Sequence, residues 1–362
     1  MTDRFPIITA GLISDGMRSD VNTHLTYRMA RATQRVALVF GNLADFASSA
    51  APNNITVRAA VRVNGGWVPV FFHGRRDVVI EPDALVSCDP IGAPLGVDGV
   101  LQVRTRVSVT LGERWVHNIL TDNAKGEGTI AGTTGADLTL SGTITANRAY
   151  GYGPHTVIGD AGGIATLVGI GDSIMQGQSD RINAADSPTS TLAWGYARRF
   201  AWANHAPFLN LGVIGDTARD WAAASGRKYA LRRALASDAS VALISFGVDD
   251  LAQGRTVAQI KANLETIWTS VARVGVKAYQ STITPMTAVD GVTPQATEPL
   301  RLELNNWIRT QPSPLTGFVD LADAAETARN SKRNARSSRS GSKESSTMFR
   351  RAFRASSAGL SC

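Results

Sequence analysis

Two hydrophobic rhythms divide the chain. In Asn54-Ile55-Thr56-Val57-Arg58-Ala59-Ala60-Val61-Arg62-Val63, apolar and polar positions alternate with period two, which predicts a strand with one buried face. Asn64-Gly65-Gly66 supplies residues tolerant of positive φ before Trp67-Val68-Pro69-Val70-Phe71-Phe72, a hairpin signal. Val103-Arg104-Thr105-Arg106-Val107-Ser108-Val109 alternates again, with its arginines on one face. Short strands separated by Gly, Pro and Asp turns predict an all-β sandwich, jelly-roll-like, over residues 1–120. Residues 121–160 are rich in Gly, Thr and Ala, which predicts a linker or extended loop with one strand over 138–144.

From residue 161 the rhythm changes. Leu167-Val168-Gly169-Ile170, Phe208-Leu209-Asn210-Leu211 and Val241-Ala242-Leu243-Ile244 are continuous apolar runs, the signature of strands buried on both faces. Residues 276–285 and 318–321 predict two more. Between them, residues 257–268 place Val257, Ile260, Leu264 and Ile267 on one helical face, and residues 300–309 predict another helix. Buried strands alternating with amphipathic helices predict an α/β domain with a parallel sheet over 161–328.

Each of the first three strands runs into a glycine turn that carries polar residues: Gly171-Asp172-Ser173, Gly212-Val213-Ile214-Gly215-Asp216 and Gly247-Val248-Asp249-Asp250. A parallel sheet brings three such loops to its carboxyl edge, where open α/β folds bind ligands. Ser173 then has a nucleophile's address. Taken alone, Gly-Asp-Ser also fits a turn in which Asp172 caps the following helix.

Together the three blocks resemble the GDSL, or SGNH, family of serine ester hydrolases. Gly171-Asp172-Ser173 matches its first block, Asn210-x-Gly212-x-x-Gly215-Asp216 its second, and Gly247-x-Asp249-Asp250 its third, where the family writes Gly-x-Asn-Asp. The resemblance implies a flavodoxin-like three-layer α/β/α domain that hydrolyses an acyl ester through an acyl-Ser173 intermediate, with neither cofactor nor metal. It assigns the oxyanion-hole donors to the backbone N–H groups of Ser173 and Gly215 and to the side chain at Asp249, and gives Gly171, Asp172, Asn210, Gly247 and Asp250 a supporting role. The implied substrate is a small-molecule or glycan ester, such as an acetyl or short-acyl ester of a carbohydrate. The β region looks like the domain that precedes the hydrolase in some two-domain relatives. It either binds sugar, lines the cleft, or only packs beside it.

Two departures oppose turnover. An ionised Asp249 accepts hydrogen bonds and would repel a developing oxyanion unless protonated. The family's carboxy-terminal Asp-x-x-His is also missing: the histidines are His24, His73, His117, His155 and His205, and none follows residue 205. His155 and His205 read as packing or surface residues at the amino edge of the sheet, opposite Ser173. A rival expectation is therefore an inactive, SGNH-like carbohydrate-binding module.

Residues 329–362 change character where that motif is due. They hold nine Lys/Arg, ten serines and Glu344 as the sole acid, which leaves residues 1–328 at −1 of the chain's +7. The expectation is a disordered basic tail, either natural or the product of a changed reading frame near residue 330. Because the charge sits in that tail, which shows no recognition-helix pattern, nucleic acid is not the expected partner. No stretch nears the roughly 18 apolar residues of a membrane helix. The first residues show no signal-peptide pattern, so a cytoplasmic location is the default expectation and the compartment stays open. Cys88 and Cys362 form no metal or disulfide pattern, and oligomeric state stays open.

Overall fold

A computed structural model describes residues 12–43, 51–133, 135–160, 165–177, 195–223, 227–287 and 293–326. The chain divides into two compact units, Met1–Ile164 with His205–Leu209 and Ala165–Asn204 with Asn210–Cys362.

The first unit holds two larger antiparallel sheets. One runs in the order Gly128–Gly132, Asp20–Arg28, Val100–Ser108, Ile55–Val63, Gly66–Pro69, with Asp77–Ile80 also paired to Ile55–Val63. The other runs Thr156–Gly159, Thr33–Gly41, Leu85–Ser87, with Ile91–Leu95 also on Thr33–Gly41. Leu25, Val57, Val61 and Val103 from the first sheet and Leu38, Phe40 and Val157 from the second share one buried core, which makes the pair a sandwich. Alternation does what its period requires: Val57, Ala59 and Val61 are fully buried while Thr56 and Arg58 stay half-exposed. The hairpin turn is Asn64-Gly65, with φ of 50° and 84°, and Gly66 already pairs with Val63.

Residues 121–160 differ from a linker. Gly128–Gly132 pairs with Asp20–Arg28, and Thr156–Gly159 pairs with Thr33–Gly41. Residues 138–144 form no strand. The reason lies in the arginine-bearing face of the first sheet, whose guanidinium donors need acceptors. Arg104 donates to the Leu138 carbonyl at 2.9 Å, and Arg58 to Asp137 at 2.8 Å. In return the Gly135 and Leu138 amides donate to Asp20 and Asn22, both at 3.0 Å. Irregular chain thus covers a polar sheet face with its own carbonyls, which no apolar periodicity announces.

The second unit is a five-stranded parallel sheet with helices. Its strands are β1 (Leu167–Gly171), β2 (Phe208–Asn210), β3 (Val241–Ser245), β4 (Lys277–Ser281) and β5 (Gly317–Val319), in the order β2-β1-β3-β4-β5. The β1–β3 register pairs Leu167 with Val241 and Gly171 with Ser245. The helices are α1 (Ser173–Gln176), α2 (Gly195–Ala203), α3 (Ala218–Ala223), α4 (Arg227–Ser237), α5 (Val248–Ala252), α6 (Val257–Arg273), α7 (Glu298–Arg309) and α8 (Leu321–Ala325). In α6 the periodic residues Val257, Ile260, Leu264 and Ile267 are buried, and Thr256 and Gln259 close a capping box at its start. Trp268 stacks on Trp307 of α7, centroids 5.1 Å apart. Strand order reverses around β1, the arrangement in which open α/β sheets bind ligands at the carboxyl ends of the strands beside the reversal. Among the described residues, no helix is long and apolar enough to cross a membrane. Residues 329–362 lie outside the described residues.

Candidate active site

Every residue of β1 is buried, so Asp172 emerges at the edge with little choice of direction. Its carboxylate accepts the Ile174 amide at 2.8 Å and caps α1. Capping and the nucleophile's address are therefore compatible, because Ser173 is the first residue of α1. Among the described residues the Ser173 hydroxyl and amide make no hydrogen bond.

The second loop is tied to the first. Asn210 Nδ2 donates to the Met175 carbonyl at 2.9 Å, while Asn210 Oδ1 accepts the Gly212 amide at 2.9 Å. Gln176 Oε1 accepts the Ile214 amide at 3.0 Å. A Cβ on Gly212 would lie 2.5 Å from the Gln176 nitrogen, so only glycine permits this approach. Gly215 stands at the loop's exposed tip with φ of +77°, and no hydrogen bond engages its amide among the described residues. Next to it, Asp216 accepts the Tyr229 hydroxyl at 2.8 Å and Arg232 at 2.6 Å. Arg232 is 1% exposed, lies over the Trp221 ring at 4.5 Å and also donates to the Leu211 carbonyl.

The third loop grips the second. Gly247, at φ of +125°, turns β3 into α5. Asp250 is fully buried and accepts the amides of Ala218 and Arg219 at 2.8 and 3.2 Å, the first turn of α3. Asp249 is half-buried, and neither of its oxygens accepts a hydrogen bond among the described residues, although Oδ2 is shut from solvent. Burial, then the charges of Asp250 and Asp216, raise its carboxyl above the usual range. Burial likewise pushes Asp172 up to about 8, with the charges of Asp249 and Asp250 adding to it.

The fold thus brings Ser173, Gly215 and Asp249 to the ends of three adjacent strands, with Gly171, Asp172, Asn210, Gly247 and Asp250 around them. Gln176, Tyr229 and Arg232 are supports that the motif blocks do not contain. Gln176 ends α1, three residues after the first block. Arg232 lies in α4 with no local mark. None of the five histidines is a residue of the three loops. His155 precedes Thr156–Gly159 in the first unit, not a strand of the parallel sheet; it is 3% exposed and bonded to Asn118. The His205 side chain is 46% exposed.

A parallel sheet in the order β2-β1-β3-β4-β5, with a serine at the end of β1 and two further loops locked to it, defines an SGNH-type α/β/α hydrolase domain. Residues 170–339 match the sequence model of the GDSL-like Lipase/Acylhydrolase family. No curated protein matches the chain by sequence. The chain is similar to a solved carbohydrate esterase family 2 enzyme with its carbohydrate-binding domain from Corynascus thermopiles, at 14% identity and a TM-score of 0.41, covering 96% of this chain and 98% of that one. It is similar to a family two carbohydrate esterase from Clostridium thermocellum, at 11% identity and a TM-score of 0.36, covering 94% and 91%. A GDSL-like lipase from Bacteroides thetaiotaomicron matches at 14% identity and a TM-score of 0.37, covering 54% and 89%.

Proposed function

We propose that the second unit is an acyl-ester hydrolase that works through Ser173, on acetyl or short-acyl esters of a carbohydrate or another small alcohol. One observation carries the reading: among the described residues, a serine hydroxyl and two backbone amides, at Ser173 and Gly215, stay unengaged at the carboxyl edge of adjacent strands β1 and β2. In the first step Ser173 Oγ bonds to the ester carbonyl carbon. The alkoxide leaves with the serine proton, giving an acyl-serine and an alcohol. Water then attacks the acyl-serine and releases the acid. The two amides meet the negative charge that forms on the carbonyl oxygen in both steps. Asn210, Gln176 and Asp250 act at a distance from the reacting atoms, by holding the loops that present those donors.

A second reading is a binding module without turnover. It is favoured by Asp249 at the third donor position, where an ionised carboxylate accepts hydrogen bonds and cannot donate one. Hydrolysis of a short-chain aryl acetate by the chain and by Ser173→Ala separates the two. Turnover lost in the variant supports the hydrolase. Saturable glycan binding with no turnover in either protein supports the module.

A further inference from the structure

The face of the first sheet opposite the core carries an aromatic side chain that the Ser173 reading does not use. Trp67 stands on the edge strand Gly66–Pro69, yet its ring meets Arg104, whose guanidinium carbon lies 4.4 Å from the ring centroid, and the His24 ring, centroids 5.6 Å apart at 82°. Arg104 and His24 belong to strands two and three places in from that edge, roughly 10 and 14 Å across the sheet. The indole therefore lies inward across the sheet, over the small side chain of Ala60, which pairs with Pro69 on one side and Arg104 on the other. The ring is half-buried, and what it leaves open is the face turned away from the sheet.

Charge is unbalanced beside that ring. On the same face Arg58 lies between Asp77 and Asp137, at 2.6 and 2.8 Å, and Arg28 is paired with Asp98 at 2.5 Å. Arg104 donates only to the carbonyls of Leu138, Ser141 and Gly142, and Arg62 only to the Gly65 carbonyl and Gln102 Oε1, both at 3.2 Å. Among the described residues no acid answers either cation. Burial, then the charge of Arg62, lowers the pKa of Arg104. Arg62 is exposed and is the cross-strand partner of Trp67.

We propose that Trp67, Arg62 and Gln102 form a binding site for a uronic-acid residue of a polysaccharide, with the sugar ring on the indole and its carboxylate on the Arg62 guanidinium. An electron-rich ring face meets the C–H face of a pyranose, and a planar guanidinium meets a carboxylate through parallel N–H groups. Gln102, fixed by Arg62, supplies an amide donor for a hydroxyl. One indole beside one exposed arginine suits one acidic sugar, whereas nucleic-acid surfaces stack successive bases on several rings. The site goes beyond the Ser173 reading and stands whether or not Ser173 is acylated.

The test uses the full chain with isotope-labelled tryptophan, its indole N–H signals followed by NMR; the signal lost in Trp67→Phe is that of Trp67. Trigalacturonate is the probe. The expected result is a saturable shift of the Trp67 signal, with affinity about tenfold weaker in Arg62→Gln. Galactotriose, the same ring without a carboxylate, should bind the parent about tenfold more weakly and be indifferent to Arg62→Gln. Calorimetry should show binding weakened about tenfold or more in Trp67→Ala, and less in Trp67→Phe, which keeps a ring. If Trp67→Ala does not fold, Arg62→Gln, a change at an exposed position, decides alone. The proposal is overturned if millimolar trigalacturonate leaves the Trp67 signal unmoved, if Arg62→Gln or folded Trp67→Ala binds it as the parent does, or if galactotriose binds equally well. It is also overturned if trithymidylate shifts that signal at lower concentration than trigalacturonate does.

Discussion

The Asp250 carboxylate accepts the Ala218 amide at 2.8 Å across 32 residues of sequence, so the loop after β3 holds the helix that follows the loop after β2. Asn210 does the same between the second and first loops. The three loops are one cross-braced assembly, and the spacing of Ser173, Gly215 and Asp249 depends on these braces.

Asp250→Ala should therefore cost about 2–3 kcal/mol, because two amides at the start of α3 lose a charged acceptor in a buried place. Asp250→Asn keeps one acceptor and should cost less. Urea denaturation gives both values. An Asp250→Ala change within the error of the parent would show that water replaces the cap.

Arg232→Ala should be more damaging, about 3–5 kcal/mol, since it leaves Asp216 buried without its cation. Pairing it with Asp216→Asn should recover part of the loss. If the double variant is as unstable as the sum of the singles, the ion pair is not what holds this loop.

Gly215→Ala should strain a backbone held at φ of +77° by about 1 kcal/mol, although no atom lies within 4 Å of the new Cβ. The fall in aryl acetate turnover should exceed the fall in stability, because the amide moves with the backbone. Equal activity in Gly215→Ala and parent would take Gly215 out of the site.

His155 links stability to pH. Burial lowers it to about 4, so the folded protein holds it neutral while the unfolded chain takes up a proton near pH 6.5. Its contribution is fully present above about pH 6.5 and is lost as pH falls towards about 4, a change of about 3 kcal/mol. Urea midpoints over that window, in the parent and in His155→Gln, should differ in slope. Parallel slopes would contradict the assignment.

The two-unit architecture and the three loops were legible in the sequence because both rest on short-range pattern: period-two alternation in Ile55–Val63, continuous apolar runs in β1 and β3, and glycine turns after them. The covering of the first sheet by residues 135–142 was not legible. There the stabilising partners are arginine guanidiniums and main-chain carbonyls, and composition alone reads such a segment as linker. Asp172 shows the opposite case, where a capping role and a place in the site coincide and neither reading excludes the other. Arg232 was invisible because a buried cation is recognised only from its partner, Asp216, which lies 16 residues earlier in the chain.

The measurement that bears most directly on the central claim is intact-protein and peptide mass spectrometry after rapid mixing with an aryl acetate, on the parent and on Ser173→Ala. The account predicts one added acetyl group on the peptide that contains Ser173, decaying with turnover, and none in the variant. Acetylation elsewhere at the same rate in both proteins, or none in a folded parent, would contradict it.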